Sequence, residues 1–254
     1  MTPLVRVEGV GKKYGEFKAL TNVSFSVAEK ETFAIIGPNG AGKTTLFKVM
    51  TGEVTGDSGR IFLGNSDITS TPAEERARMG LGRTFQIVRV FPALTLMENL
   101  VVAIEARNRS RGASRSLRVR PSDAVTDEAY QRLGHLGLAR HYATEARHLS
   151  LGDRKRLELA LTLAIEPMIL MLDEPTAGMS PSERVAIVEL IERTKEELGL
   201  TILLTEHDMD FVFRLSQSVM VLNQGERIFI GSPSEVKASA TVRQIYLGQE
   251  MVHA

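Results

Sequence analysis

The chain has 254 residues, enough for one large domain or a core with a subdomain, and its 43% hydrophobic and 24% charged content is ordinary for a globular protein. Lysine plus arginine and aspartate plus glutamate both total 31, so no bulk positive field draws the chain to nucleic acid. The absence of cysteine excludes disulfides and thiolate metal sites, and no apolar run approaches the ~18 residues that a membrane span requires.

Leu4 to Val10 and Val23 to Val27 alternate apolar with polar residues, the pattern of half-exposed antiparallel strands. Thr32 to Ile36 reads as a buried strand that runs into a glycine loop. Lys43 to Thr51 then reads as a helix stopped by Gly52. Gly59 to Leu63 predicts another strand, and Gly82 to Phe85 is strand-like. From about Thr95 the pattern turns helical, with Leu96–Ala106, Ser122–Leu136 and Ser150–Ala164 as the elements. Strands return at Met168–Leu172, Thr201–Thr205 and Val219–Asn223, with a helix at Pro181–Leu198 between the first two. Alternating strands and helices imply a mainly parallel sheet, interrupted by a helical segment at roughly 86–164.

One segment differs in tone. Arg107 to Arg120 carries Arg107, Arg109, Arg111, Arg115, Arg118 and Arg120 with no acid among them. Its serine and glycine content reads as a solvated insertion, with contact to anionic lipid headgroups or a partner loop as the alternative. No aromatic residue interleaves the arginines, so nucleic-acid binding has little support.

The residues that carry chemistry begin with Gly37-Pro38-Asn39-Gly40-Ala41-Gly42-Lys43-Thr44-Thr45, which has Gly-x4-Gly-Lys-Thr spacing between a strand and a helix. Glycines let the backbone wrap phosphate, so that successive N–H groups and the helix N-terminus point at the anion. Lys43 is expected to reach the β- and γ-phosphates of a nucleoside triphosphate, and the Thr44 hydroxyl to ligate Mg²⁺. The apolar strand at 168–172 delivers Asp173 and Glu174 to the carboxyl end of an open α/β sheet, where ligands bind. Asp173 is expected to hold Mg²⁺ through water, and Glu174 to polarise the attacking water as catalytic base. Gln86 and His207, read alone, are a surface amide and a helix cap or neutral imidazole. Each follows a strand beside the phosphate loop, which gives both an expected role at the γ-phosphate, and Gln86 a second one at Mg²⁺. Leu149-Ser150-Leu151-Gly152 opens a helix with Ser150 as a good N-cap.

In this order, the glycine loop, Gln86, Leu149–Gly152, Asp173-Glu174, the turn Ala177-Gly178-Met179-Ser180 and His207 resemble the ABC-type ATPases over nearly the whole chain. The resemblance implies that the nucleotide is ATP. It implies an α/β fold: a P-loop NTPase (RecA-like) core with a mainly parallel sheet, N-terminal antiparallel β strands and an inserted α-helical subdomain. Residues 1–254 would form a single ABC ATPase domain, with 1–85 and 165–254 as nucleotide-binding core and 86–164 as helical signature subdomain. The whole loop from Gly37 to Thr45 is assigned to ATP by the resemblance. Tyr14, in Gly11-Lys-Lys-Tyr14-Gly15, matches the aromatic residue that stacks on adenine, a contact worth roughly 1–3 kcal/mol by analogy with base stacking elsewhere. Ser150, Leu151 and Gly152 match the signature that acts on the γ-phosphate held by the opposite subunit. Two departures stand out: Asp153 replaces the usual Gln or Glu, and the Ala177–Ser180 turn lacks the family's acid, so coupling through that carboxylate does not carry over.

Finer resemblance lies in Arg83-Thr-Phe-Gln86-Ile-Val-Arg89-Val-Phe91, Leu96-Met-Glu98-Asn99-Leu100, Glu206-His207-Asp208-Met209-Asp210 and the ending Ile245-Tyr246-Leu247-Gly248. These stretches, with the arginine-rich insertion, are similar to the longer of the two ATPases of branched-chain amino-acid importers, the LivG type. The ATPases of lipopolysaccharide export and of amide or urea uptake are alternatives within transport. The single-cassette iron–sulfur assembly ATPase is the alternative outside it. An importer subunit implies a second ABC ATPase subunit, identical or different, and separate transmembrane permease subunits. Through these it would serve a periplasmic or extracellular substrate-binding protein, with no nucleic acid, from the cytoplasmic face of the membrane.

Overall fold

The computed structural model describes residues 3–84, 88–112 and 121–250, with the backbone alone over 246–250. The chain opens with the antiparallel pair β1 (Val5–Tyr14) and β2 (Phe17–Val27). Both strands run further than alternation predicts. Register shifts between Val7 and Val10 and on to Lys13 absorb the broken pattern and carry pairing out to Tyr14 opposite Phe17. The buried strand β3 (Thr32–Ile36) follows, then α1 (Lys43–Met50), β4 (Ser58–Leu63) and the two-residue β5 (Ser66–Asp67). Next come α2 (Ala73–Arg78) and β6 (Leu81–Arg83).

Between β6 and the next strand lie α3 (Leu96–Ser110), α4 (Asp123–His135) and α5 (Leu151–Ala164). The second half comprises β7 (Ile169–Asp173), α6 (Pro181–Leu198), β8 (Thr201–Thr205), α7 (Met209–Leu215), β9 (Ser218–Asn223), β10 (Glu226–Gly231), α8 (Pro233–Ala238) and α9 (Ala240–Glu250). Two sheets result. One has the order β2-β1-β4-β5 and is antiparallel; the other has the order β10-β9-β3-β8-β7-β6, parallel except where β10 joins β9.

Strands β3, β7 and β8 are buried along their full length, so the period of two sorts their residues between two cores. Phe33, Ile35, Ile169, Met171 and Leu203 face α1 and the antiparallel sheet. Ala34, Ile36, Leu170, Leu172, Ile202 and Leu204 face the opposite way and join a cluster with α3, α4, α5 and α6. The carboxyl ends of β3 and β7 are thereby fixed on either side of β8, which pairs with both. Serine-proline starts recur: the tetrapeptide Ser-Pro-Ser-Glu at 180–183 and again at 232–235 forms a reciprocal capping box at the start of α6 and of α8.

Helix α2 has no apolar face to signal it. Its one buried residue is Arg76, which donates to the carbonyls of Val49 (2.8 Å), Met50 (2.7 Å), Thr69 (2.9 Å) and Thr71 (2.8 Å) and so ties off the end of α1.

The first arginine of the arginine-rich segment is not solvated, whereas Arg109 and Arg111 are exposed. Arg107 ends up 8% exposed on α3, its guanidinium set against both Glu128 oxygens at 2.7 and 2.8 Å and against Glu166 at 2.7 Å. The acids missing from the segment come from α4 and from the turn after α5, with Arg132 and Arg111 completing the network. Arg115, Arg118 and Arg120 lie outside the described residues. The hydrogen bond from Arg107 is the main force that holds the Glu128 carboxyl down to about 2. A carboxylate depressed in the fold stabilises it fully above its unfolded value and loses that contribution as pH falls toward the folded one. The margin by which wild-type protein outmelts Glu128→Gln should therefore stay constant above about pH 5 and shrink between there and pH 2. A margin independent of pH would show that the pair contributes through packing and not charge.

Candidate functional site

The loop between β3 and α1 is shaped by backbone that only glycine allows. A Cβ on Gly37 would stand 2.1 Å from the Leu222 carbonyl oxygen, and Gly42, at φ 103°, would meet the Ala19 carbonyl at 2.6 Å. Gly42 is also the N-cap of α1 and offers no side chain, so the N–H groups of the first turn stay aimed at the cleft. Lys43 is 6% exposed and folds back to donate to the carbonyls of Gly37 (2.6 Å) and Pro38 (3.0 Å). Burial pushes its pKa down, while the negative fields of Glu174 and Asp173 oppose that shift. A polyphosphate entering the loop would meet an ammonium already drawn out of water. The cleft's described lining is Phe17, Ala19, the run Asn39 to Thr45, and Glu174. The phosphate loop and Glu174 therefore share one cleft, and Asp173 lies buried one residue before Glu174 at the end of β7.

Asp173 ends β7 with 3% exposure. One oxygen accepts from the Thr205 hydroxyl at 2.8 Å and the other pairs with the Arg83 guanidinium at 2.8 Å. The neighbouring strands β6 and β8 supply both partners. The motif reading assigned Arg83 no place at the site; its signal was the lone cation of the Arg83-Thr-Phe-Gln86 run, placed on a strand that ends beside Asp173. Glu174 sits in left-handed backbone, φ 49°, uncommon for a residue with a side chain. Its amide donates to the Thr205 carbonyl at 3.0 Å, and its Oε1 lies 2.9 Å from His207 Nε2. His207, just after β8, is thus delivered to the Glu174 carboxylate, with its side chain 45% exposed.

Three other expectations have different outcomes. Gln86 lies outside the described residues. Tyr14 ends β1, 49% exposed and packed beside the Lys12 ammonium, but the aromatic residue lining the cleft is its register partner Phe17, 64% exposed. Opposed residues of an antiparallel pair share a face, so Tyr14 lies beside Phe17 on the hairpin, yet only Phe17 belongs to the described lining of the cleft. Ser150 caps α5 by accepting from the Asp153 amide at 3.1 Å, and it is exposed. Leu151 and Gly152 follow at the helix start, Gly152 close against Glu183, where a Cβ would sit 3.0 Å from a carboxylate oxygen. None of these three residues belongs to the described lining of the phosphate-loop cleft. Ser150 and Leu151 are exposed at this helix end, whereas Gly152 is buried.

The donor set suits Mg²⁺ held partly through water. Thr44 is exposed in the cleft at the start of α1, and both Asp173 oxygens already carry one partner each, which favours contact to the ion through ordered water.

The ABC transporter family matches residues 20–177. The high-affinity branched-chain amino acid transport ATP-binding protein LivG of Salmonella typhimurium is 39% identical over 97% of this chain and 98% of its own length. The corresponding protein BraF of Pseudomonas aeruginosa is 37% identical, again over 97% of this chain and 98% of its own. Among solved structures, the ADP conformation of MJ1267, an ATP-binding cassette of an ABC transporter, superimposes with a TM-score of 0.85 at 32% identity, over 98% of this chain and all of that one. Loop, acidic strand end, signature helix and full-length kinship converge, and the chain belongs to the ABC transporter family as one of its ATP-binding, ATP-hydrolysing cassettes.

Proposed function

We propose that the chain drives import of branched-chain amino acids, paired with a second cassette beneath two permease subunits at the inner face of the membrane. The observation that carries the substrate class is end-to-end similarity to LivG and BraF, which covers the Arg83–Phe91 stretch and the arginine-rich insertion as well as the shared motifs. Among the described residues no helix is long and apolar enough to cross a membrane, so passage through the bilayer belongs to other subunits.

In this reading Gly37 to Thr45 cradle the phosphates of ATP, with Lys43 on the β- and γ-phosphates. Thr44, Gln86 and Asp173 hold Mg²⁺, which supplies charge neutralisation of the transferring phosphoryl group. Glu174 takes the proton of the attacking water, and His207, 2.9 Å away, orients that carboxylate and contacts the γ-phosphate. Tyr14, with Phe17, carries the adenine. Ser150, Leu151 and Gly152 complete the second cassette's site. Residues 86–164 act as a lobe that moves against the core formed by 1–85 and 165–254.

The permease contact falls on the segment after Gln86. Phe91 is 51% exposed, yet its backbone is fixed at both ends by the buried Asn99 side chain, which accepts from the Phe91 amide at 2.9 Å and donates to its carbonyl at 3.0 Å. An apolar ring held out on a rigid backbone suits the docking of a partner helix. With no native cysteine in the chain, Phe91→Cys permits selective cross-linking in membranes. Capture of a permease subunit is the expected outcome, with labelled leucine uptake dependent on it. Capture of a soluble scaffold protein and no membrane subunit would overturn the importer reading.

A further inference from the structure

Helix α5 does more than present Ser150. One turn into it, Lys155 points inward and is 8% exposed. Its ammonium donates to three backbone carbonyls of one loop, those of Glu174 (3.3 Å), Pro175 (2.9 Å) and Ala177 (2.7 Å). Three donors meet three acceptors, which is the full capacity of a lysine. Burial pushes its pKa down against the opposing fields of Glu206, Glu158 and Glu174.

The loop so gripped is the one that holds Glu174 in its left-handed conformation. It is clamped from the other side by Glu206, 3% exposed, whose Oε1 accepts from the Thr176 amide at 2.8 Å and hydroxyl at 2.6 Å. The second Glu206 oxygen accepts from the His207 amide at 2.9 Å. A connected path therefore runs from α5 through Lys155 to the 174–177 loop, and on through Glu206 to His207 and back to the Glu174 carboxylate. The N-terminus of α5 also rests on this loop's far end, since a Cβ on Gly178 would lie 3.2 Å from the Leu151 side chain. One turn beyond Lys155, the Glu158 carboxylate accepts from the Arg89 amide at 3.0 Å, which ties the same helix to the segment after Gln86.

We propose that Lys155 is a positioning residue for hydrolysis: it locks the 174–177 loop to the signature helix, so that α5 cannot shift without carrying the Glu174 carboxylate with it. The inference rests on the proposed roles of Glu174 as base and of Ser150 as a γ-phosphate contact. When the second cassette's ATP engages the start of α5, the engagement reaches this chain's own base through three hydrogen bonds. A base displaced by about 1 Å from its water costs on the order of a hundredfold in rate, whereas phosphate binding by the glycine loop is untouched.

The test compares Lys155→Met, which keeps the apolar stem and removes every donor, with Lys155→Arg, which restores donors. In the assembled transporter Lys155→Met should lower ATPase kcat by roughly 10- to 100-fold. Its affinity for a fluorescent ATP analogue should stay within about twofold of wild type, and Lys155→Arg should recover most of the loss. Unchanged kcat in Lys155→Met overturns the proposal. So does a parallel loss of kcat, nucleotide affinity and melting temperature, which would make Lys155 a packing residue only. Glu174→Gln run alongside separates the two layers: if that variant keeps full turnover, the base assignment fails; if it is inactive while Lys155→Met is not, only the positioning role fails.

Discussion

Glu174→Gln is expected to bind ATP as tightly as the wild type and to hydrolyse it on the order of 10²- to 10⁴-fold more slowly, the usual cost of removing a general base. The substitution preserves shape. An amide fills the same volume, tolerates the same left-handed backbone no worse, and can still meet His207 across the 2.9 Å contact. What it loses is the ability to take a proton from water. Nucleotide affinity resides elsewhere, in the glycine loop and in Lys43, whose carbonyl partners Gly37 and Pro38 do not involve residue 174. Steady-state ATPase assays on the assembled transporter, with a nucleotide titration on the same preparation, separate the two quantities. Near-normal turnover in the Gln variant would remove Glu174 from the role of base and leave His207 as the candidate.

Much of this was legible in the chain because local signals and tertiary context agree. Strands β3 and β8 and helix α6 fall where the pattern puts them, since short apolar runs opened by threonine and a Ser-Pro-x-Glu start leave little choice of period or boundary. The phosphate loop and Glu174 share a cleft because β3 and β7 end on either side of β8, and strand ends are readable from apolar runs. What escaped reading depends on contacts distant in sequence. Arg83 meets Asp173 only when β6 is laid against β7. Arg107 changes from a solvated cation to a buried one because Glu128 and Glu166 arrive from other elements. Phe17 gained its place at the cleft from bulged pairing that carries the first hairpin out to Tyr14, and no periodicity announces a bulge. Helix α2 and strand β10 have almost no buried apolar side, so tertiary hydrogen bonding defines them and hydrophobic pattern does not.

The second large effect concerns the signature. Ser150 is exposed at the N-terminus of α5, away from the cleft that Lys43 lines, and its geometry suits a γ-phosphate brought by another cassette. Ser150→Arg should leave nucleotide binding by the isolated chain unchanged, because none of the loop's phosphate donors is altered. In an assembled pair it should abolish closure over the second cassette's ATP, since removal of a preorganised donor costs about 10²- to 10³-fold in rate and the bulky cation blocks approach as well. ATP would then act as the glue for closure, and ADP, which lacks the γ-phosphate, would permit opening.

Two mixed assemblies test this sharing of sites most directly. In the first, Ser150→Arg in this chain is combined with a second cassette whose phosphate loop is inactivated, which leaves the Lys43 site of this chain and the second cassette's intact signature. In the second, Ser150→Arg and Lys43→Ala are placed together in this chain beside a wild-type second cassette, which leaves only a site that must use the damaged signature. A site shared between subunits predicts hydrolysis in the first assembly and almost none in the second. Hydrolysis in the second with none in the first would mean that Ser150 serves the ATP of its own chain, and would contradict the account.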